Sequence, residues 1–367
     1  MRMEILIDAA EFWPRLEADI HGARDRVLLQ TLSFEGDKAG HGVADAMLAS
    51  QATDRRIIAD EFYTRHRVND HYLHNPKHWG RKDLRAERDA TLGMMDRLRS
   101  NGVDVKLANP SSPMTLNFIW RNHKKIAVID ETAGYIGGIN FSDHNFEWHD
   151  MMLRIECPEV AKFLAGDFEE TWHGRDQNTS RKFDGIEIFT FDGCNNRVDF
   201  KPLMELIANA KKSVTILSPY ITYPFFEPVR RAQENGAKVV LIAPDNNNWG
   251  VLWEYLVWET TKWRIDLMLY DGTMSHLKAM LIDDEHLVLG SSNFDFLSYC
   301  HMQEIVGVVT DPGVIADFKK RVIEPDLARA HLSRERVPEW RGIYHIARLK
   351  TLSAIFQGVA KIFRPGR

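Results

Sequence analysis

Cysteine is scarce in this chain: Cys157, Cys194 and Cys300 are the three in 367 residues, and they lie far apart. They form neither a metal-binding pattern nor a disulfide framework, which fits a reducing compartment. No apolar run reaches 18 residues, so no segment predicts a membrane-spanning helix. The N-terminal MRMEILIDAAEFWPRLEADI is broken by acids and a proline and does not read as a secretory signal. Positive charge is not in excess either: 47 Lys and Arg stand against 52 Asp and Glu, a formal charge of −5. A global basic field for nucleic acid is therefore absent, while a local patch remains open.

What is present is alternation. RVLLQTLSF (26–34) predicts a strand, HGVADAMLAS (41–50) a helix and RRIIAD (55–60) a strand. TLGMMDRLRSNGVDVKLA (91–108) predicts helix, glycine stop, strand; MMLRIE (151–156) a strand; and PEVAKFLAGDFEETWH (158–173) a helix opened by proline. The order then restarts with KPLMELIANAKKSVTILSPYI (201–221) and runs to MQEIVGVVTDPGVIADFKKRV (302–322). The chain thus reads as an internal duplication with a junction near TSRKFDG (179–185). The fold class is α/β: two halves, each a mixed sheet flanked by helices, with domains at 1–178 and 186–330 and a C-terminal helix at 338–367. The first half is longer by residues 61–90 and by ANPSSPMTLNFIW (108–120).

The chemistry sits in a repeated motif. NHKKIAVID (122–130) places His123 and Lys125 at the entry of an apolar strand, where polar groups are costly. SHLKAMLIDD (275–284) repeats the pattern with His276, Lys278 and, after four apolar residues, Asp283. GGIN supplies Asn140 and GSSN supplies Asn293; Asp150 and Glu304 follow at nearly equal distances from their histidines. A single H-x-K is a common accident, but a duplicated H-x-K-x4-D followed by G-x-x-N at matched offsets is not. A pseudo-twofold axis would bring both histidines to one point. Two lysines as point charges and two asparagine amides suit the oxygens of a phosphorus undergoing displacement. One histidine attacks phosphorus, the other protonates the leaving alcohol, and the acids orient the imidazoles. The motifs contain no metal-ligand spacing, so neither metal nor cofactor is expected and charge neutralisation falls to Lys125 and Lys278.

At these residues the sequence resembles the phospholipase D superfamily, whose signature is a doubled H-x-K-x4-D, over about residues 20–325. It looks most like the cardiolipin synthase branch, on NHKKIAVIDETAGYIGGINFSD, WHDMMLRIECPEV and SPYITYPFFEPVRRAQENGAKVVLIAP. The resemblance implies two pseudo-twofold-related phospholipase D-like halves, a phosphohistidine intermediate and metal-independent transfer of a phosphatidyl group to water or an alcohol. It assigns His123 as nucleophile and His276 as general acid, then base. Lys125, Lys278, Asn140 and Asn293 would hold the phosphate, and Asp150 and Glu304 would orient the histidines. It makes Asp130 and Asp283 structural, at the buried end of the strand. Where the branch usually shows D-x-R-S after the second asparagine, this chain has DFLS, with Leu297 in place of arginine. The same resemblance allows hydrolysis as phospholipase D, or action as a nuclease or other phosphodiesterase. A catalytically dead binding module is disfavoured because both motif sets are complete.

The expected partner is a phospholipid surface, with nucleic acid disfavoured, and the expected location is cytoplasmic and peripheral on the inner face of the membrane. WRGIYHIARLKTLSAIFQGVAKIFRPGR (340–367) repeats apolar residues at steps of three and four: Ile346, Leu349, Leu352, Ile355 or Phe356, Val359, and Ile362 or Phe363. From 341 onward it carries Arg341, Arg348, Lys350, Lys361, Arg364 and Arg367 and no acid. That pattern reads either as a membrane-surface helix or as one docked on the domain. The tryptophans of WGVLWEYLVWETTKW (249–263) read as a core-facing helix rather than an interfacial belt. His66, His71, His74 and His78 read as a solvated segment or substrate cap rather than a metal site, because Pro76 interrupts a shared helical face.

Overall fold

A computed structural model describes residues 1–111, 119–247 and 250–363. Most of the extra stretch at 108–120, Trp249, Arg364 and Arg367 lie outside the described residues. The chain divides into two compact units, Met1–Gln177 and Asn178–Arg367.

The first unit is built on a seven-stranded sheet: β1 (Arg2–Ile7), β2 (Arg26–Thr31), β3 (Asp54–Asp60), β6 (Asp104–Ala108), β7 (Ile126–Ile129), β8 (Ala133–Gly137) and β9 (Met151–Glu156). A two-stranded ladder of β4 (Arg67–Val68) and β5 (His71–Tyr72) stands apart from it. The sheet order is β1-β9-β8-β7-β2-β3-β6. β2, β3 and β6 are parallel, as helical crossovers require, and the remaining pairs are antiparallel. The apolar run of β2 is continuous because both faces of the sheet are covered. Helices Asp8–Gly22, Lys38–Ala49 and Lys82–Ser100 bury Phe12, Leu16, Val43, Met47 and Met95 against Val27, Leu29 and Ile57. Helix Pro158–Trp172 lies on the other face, where Leu164 packs so tightly on Gly134 that a β-carbon there would sit 2.4 Å from its Cδ1.

The second unit holds β10 (Thr179–Phe183), β11 (Ile186–Asp192), β12 (Ser213–Leu217), β13 (Lys238–Pro244), β14 (Asp266–Tyr270), β15 (Ala279–Ile282), β16 (His286–Gly290), β17 (Gln303–Val309) and β18 (Ala330–Leu332). Their order is β10-β11-β17-β16-β15-β12-β13-β14-β18. Its inner seven strands repeat the first sheet position for position: β7 corresponds to β15, β8 to β16, β9 to β17, and parallel β2-β3-β6 to parallel β12-β13-β14. Both units are thus mixed sheets with helices, as the alternation predicts.

Two local features differ from expectation and two refine it. Residues 179–183, taken as part of a junction, form β10, which pairs with β11 across the two-residue turn Asp184-Gly185, Gly185 taking φ 75°. Asp-Gly is itself a hairpin signal, outweighed by the search for a linker. The helix expected from residue 91 begins at Lys82, because Arg and Glu are good helix formers even without an apolar stripe. In the Trp-rich helix Gly250–Trp263, Trp258 is buried and Trp253 and Trp263 are half-buried, so the core reading holds for Trp258 and in part for the others. The histidines of the 61–90 stretch pair off, His66 Nδ1 lying 2.9 Å from His74 Nε2 and the His71 and His78 rings meeting edge to face.

Candidate active site

In the first unit the residues before β7 are sunk in protein: Asn122, His123, Lys124 and Lys125 are each at most 5% exposed. Strand-like alternation sends neighbouring side chains opposite ways. Lys125 Nζ donates to the His123 carbonyl at 2.7 Å. Lys124 Nζ instead reaches Asp167 at 2.7 Å and Asp176 at 3.2 Å. Burial pulls the Lys124 pKa down, but the two carboxylates outweigh it and hold the ammonium above its ordinary value. The motif's middle lysine is therefore a clamp on helix Pro158–Trp172, while Lys125 remains beside His123. Upstream, Asp60 at the end of β3 accepts from Arg121 Nη1 and the Asn122 N–H, both at 2.9 Å. Asn122 Oδ1 accepts from Gln30 Nε2 of β2 at 3.0 Å.

The remaining residues arrive from β8 and β9. Asn140 Oδ1 accepts from Thr31 Oγ1 at 3.2 Å and from the Ser33 N–H at 3.4 Å, and its Nδ2 donates to Asn145 Oδ1 at 3.1 Å. One of its amide donors is thus already engaged. Asp150 lies directly before β9, and its backbone N–H donates to Asp8 Oδ1 at 3.1 Å. Its carboxylate lies over Gly138: a β-carbon there would be 2.3 Å from Asp150 Oδ1.

The second unit repeats the set. His276, Lys278, Asn293 and Glu304 are all buried. Lys278 Nζ lies 2.8 Å from His276 Nδ1 and 2.5 Å from the His276 carbonyl. An ammonium can only donate, so in this contact Nδ1 is the acceptor. The Tyr220 ring stands at 77° to the His276 ring, centroids 6.4 Å apart. Asn293 Oδ1 is buried without a hydrogen-bond partner, unlike that of Asn140. Glu304 accepts from Ser298 Oγ at 2.8 Å and from Ser291 Oγ. Asp295 caps the helix Phe296–Cys300 through the Ser298 N–H at 2.8 Å; burial, with a push from Glu304, raises its pKa to about 6. Leu297, in the place of the branch's arginine, is half-buried on that helix.

The acids occupy equivalent registers. Gly137 pairs with Met152 and Gly290 with Val306, and Asp150 and Glu304 each lie two residues before those partners. The motif aspartates are equivalent too. Asp130 accepts from the N–H groups of Arg24, Asp25 and Arg26 at 2.8–3.2 Å. Asp283 accepts from those of Lys211, Lys212 and Ser213 at 2.6–3.0 Å. Both take positive φ, 49° and 56°. They tie the far end of the motif strand to the entry of β2 or β12. Both are half-buried, so the expected burial of that strand end is corrected: the turns they cap are at the surface. Asn122, Lys124, Asp60, Tyr220 and Ser298 were not foreseen. Lys124 had a usable signal, since alternation within H-K-K requires one lysine to face away, and Tyr220 lay within the SPYITYP stretch that carries the resemblance.

A family model described as cardiolipin synthase, PLD-like domain, matches residues 16–172 and 203–324. The chain is 24% identical over 330 residues to the major cardiolipin synthase ClsA of Bacillus subtilis, covering 81% of this chain and 63% of that protein's length. It is 24% identical over 399 aligned residues to cardiolipin synthase 1 of Staphylococcus epidermidis, covering 99% of this chain and 74% of that protein. Among solved structures, phosphatidylserine synthase of Haemophilus influenzae aligns with a TM-score of 0.70 at 14% identity, covering 97% of this chain and 94% of that one. Polyphosphate kinase of Porphyromonas gingivalis aligns at 0.59 and 14% identity, covering 96% and 56%. The two structures share the fold.

Proposed function

The chain belongs to the family described as cardiolipin synthase, PLD-like domain, and from that premise we propose that it transfers a phosphatidyl group from a glycerophospholipid to an alcohol or water. His123 attacks phosphorus, forming a P–N bond as the P–O bond to the leaving alcohol breaks, and His276 delivers the proton that alcohol needs. His276 then takes a proton from the incoming alcohol or water as it attacks the phosphohistidine and frees His123. Lys125 and Lys278 offset charge on the phosphoryl oxygens, and the Asn140 and Asn293 amides bind them. Asp150 and Glu304 hold the imidazole orientations. The acceptor is an alcohol or water, the substrate comes from a phospholipid surface, and the enzyme works peripherally on the cytoplasmic side.

The observation that carries this reading is the repetition of His, Lys, Asn and acid at equivalent strand positions of two sheets with the same order. The test is lipid mass spectrometry on phosphatidylglycerol vesicles in EDTA, with and without glycerol. The expected product is cardiolipin or a transphosphatidylation product; phosphatidic acid alone would make the protein a hydrolase. His123→Ala and His276→Ala are each expected to lower turnover by at least ~10³-fold, because groups acting as a unit fail together. Retained turnover in either variant would refute its assignment.

A further inference from the structure

Over its described side chains, the C-terminal helix Glu339–Phe363 turns inward most of the stripe that its sequence marks as apolar. Leu349 is buried, and Ile346, Leu352 and Phe356 are half-buried, with Gly342, His345 and Ser353 on the same inward face. Gly342 packs directly on Trp258: a β-carbon there would lie 2.1 Å from its ring. Glu254 of the neighbouring helix receives His345 Nε2 at 2.8 Å and Arg341 at 3.2 Å. Lys350 Nζ stands 5.3 Å from the ring of Tyr223, in the loop whose Tyr220 faces His276. The docked reading of this helix is therefore satisfied by one face.

The opposite face is the unexplained one. Trp340 is 69% exposed, Ile343 53%, Tyr344 57% and Ile355 52%. With exposed Ala347, Thr351 and Ala354 they lie along one side of the cylinder at helical spacing. Isolated exposed apolar residues are ordinary, but several large ones in line on one helix are a surface that binds something. The charge beside them selects what. Arg348 and Lys350 flank the row, and no acid occurs from 341 to 367, in a chain whose net charge is −5. Trp and Tyr with flanking cations match the boundary between headgroup and acyl chain.

We propose that this outward face, Trp340, Ile343, Tyr344 and Ile355 flanked by Arg348 and Lys350, is a docking surface for an anionic phospholipid bilayer. The inward stripe holds the helix to the second unit, and the outward row enters the interface. The helix packs on the Tyr223 loop, so docking would deliver lipid beside His276. The choice of lipid rests on the phospholipid reading above; the surface itself does not require that catalysis occur.

The test uses the full chain. Deletion of the helix would uncover Trp258, so the variants are point substitutions at exposed sites: Trp340→Ser/Ile343→Ser/Tyr344→Ser/Ile355→Ser together, and Arg348→Gln/Lys350→Gln. Cosedimentation is measured with vesicles of phosphatidylglycerol and phosphatidylcholine, and with phosphatidylcholine alone. The wild type is expected to bind the anionic vesicles preferentially. The fourfold variant should lose at least tenfold in partition, and the double variant should lose the preference for anionic lipid. Equal vesicle binding by the wild type and the fourfold variant would overturn the proposal. So would a wild-type dimer, or a stable protein complex, that the fourfold substitution dissolves while vesicle binding is absent. Turnover of a short-chain phosphatidylglycerol kept monomeric should be unchanged in the fourfold variant. Loss of monomer turnover in the wild type as well would count against the catalytic reading and leave the vesicle result standing.

Discussion

The polar residues at the two ends of one motif are separated by what they touch. His and Lys lead into the strand where a phosphate can be met, whereas Asp130 and Asp283 end it by collecting backbone N–H groups from the segment entering β2 or β12. Their role is therefore to fix the register of the motif strand against its neighbour. Burial opposes ionisation of Asp283, but the N–H groups of Ser213, Lys211 and Lys212 outweigh it and hold the carboxyl below its ordinary value of 3.8. A carboxyl whose pKa is lowered on folding adds stability that is present above the unfolded value and is lost as pH falls through the folded one. Asp283→Asn keeps one acceptor oxygen but removes the charge. It is expected to cost about 1–3 kcal/mol at pH 7, the range for weakening charge-assisted hydrogen bonds. The cost should fade below about pH 4, where the wild-type carboxyl protonates as well. Urea unfolding at both pH values measures this. A loss that is unchanged at low pH would show that the side chain acts by shape rather than charge.

At the scale of elements, the turns after β8 and β16 solve one problem in two ways. Asp150 stands where a β-carbon on Gly138 would be, so the shorter acid is matched to an empty position. Ser291 fills the corresponding position in the other unit, and the longer Glu304 reaches its hydroxyl. Gly138→Ser should thus displace Asp150 and lower kcat by roughly 10²-fold, the usual loss when a positioned catalytic group moves by about 1 Å. Gly138→Ser/Asp150→Glu should regain part of it, a coupling that a double-mutant cycle on kcat reads directly. Strictly additive losses would dissociate the two positions. The elements themselves were largely legible because buried strands read as apolar runs, and glycine or proline marks most helix ends. Less visible were features whose cause is remote in sequence. Asp60 meets Arg121 across 61 residues, and the C-terminal helix has apolar residues on two faces, so periodicity alone could not say which faces the protein. Within the site, the doubled motif made His123, Lys125, His276 and Lys278 conspicuous. Gln30 carries no local pattern at all, and Tyr220 was visible only within the SPYITYP stretch of the family resemblance.

At the scale of the whole molecule, the proposed phosphohistidine chemistry is indifferent to what hangs from the phosphate, so the choice between a lipid and a nucleic acid falls to the surface around it. The chain carries a net charge of −5, and its exposed cations are often neutralised in local pairs such as Arg81 with Asp83, Arg97 with Asp45 and Arg99 with Asp96. Such pairs add little stability, but they leave little potential to release counterions from a polyanion. The basic flank of the C-terminal helix acts only over about 8 Å at physiological salt, enough for a surface in contact and too short to steer a strand from solution. Single-stranded DNA is therefore expected to bind with a Kd of about 10⁻⁴ M or weaker at 0.15 M salt, the weak end of non-specific affinity. Cleavage of it in EDTA should be negligible beside turnover of phosphatidylglycerol. Fluorescence anisotropy and a strand-cleavage assay at two salt concentrations check this. Tight, salt-sensitive binding with metal-free cleavage would mean that a local patch governs access to His123 and His276, and it would move the same proton and phosphoryl chemistry from a lipid headgroup to a nucleic-acid backbone.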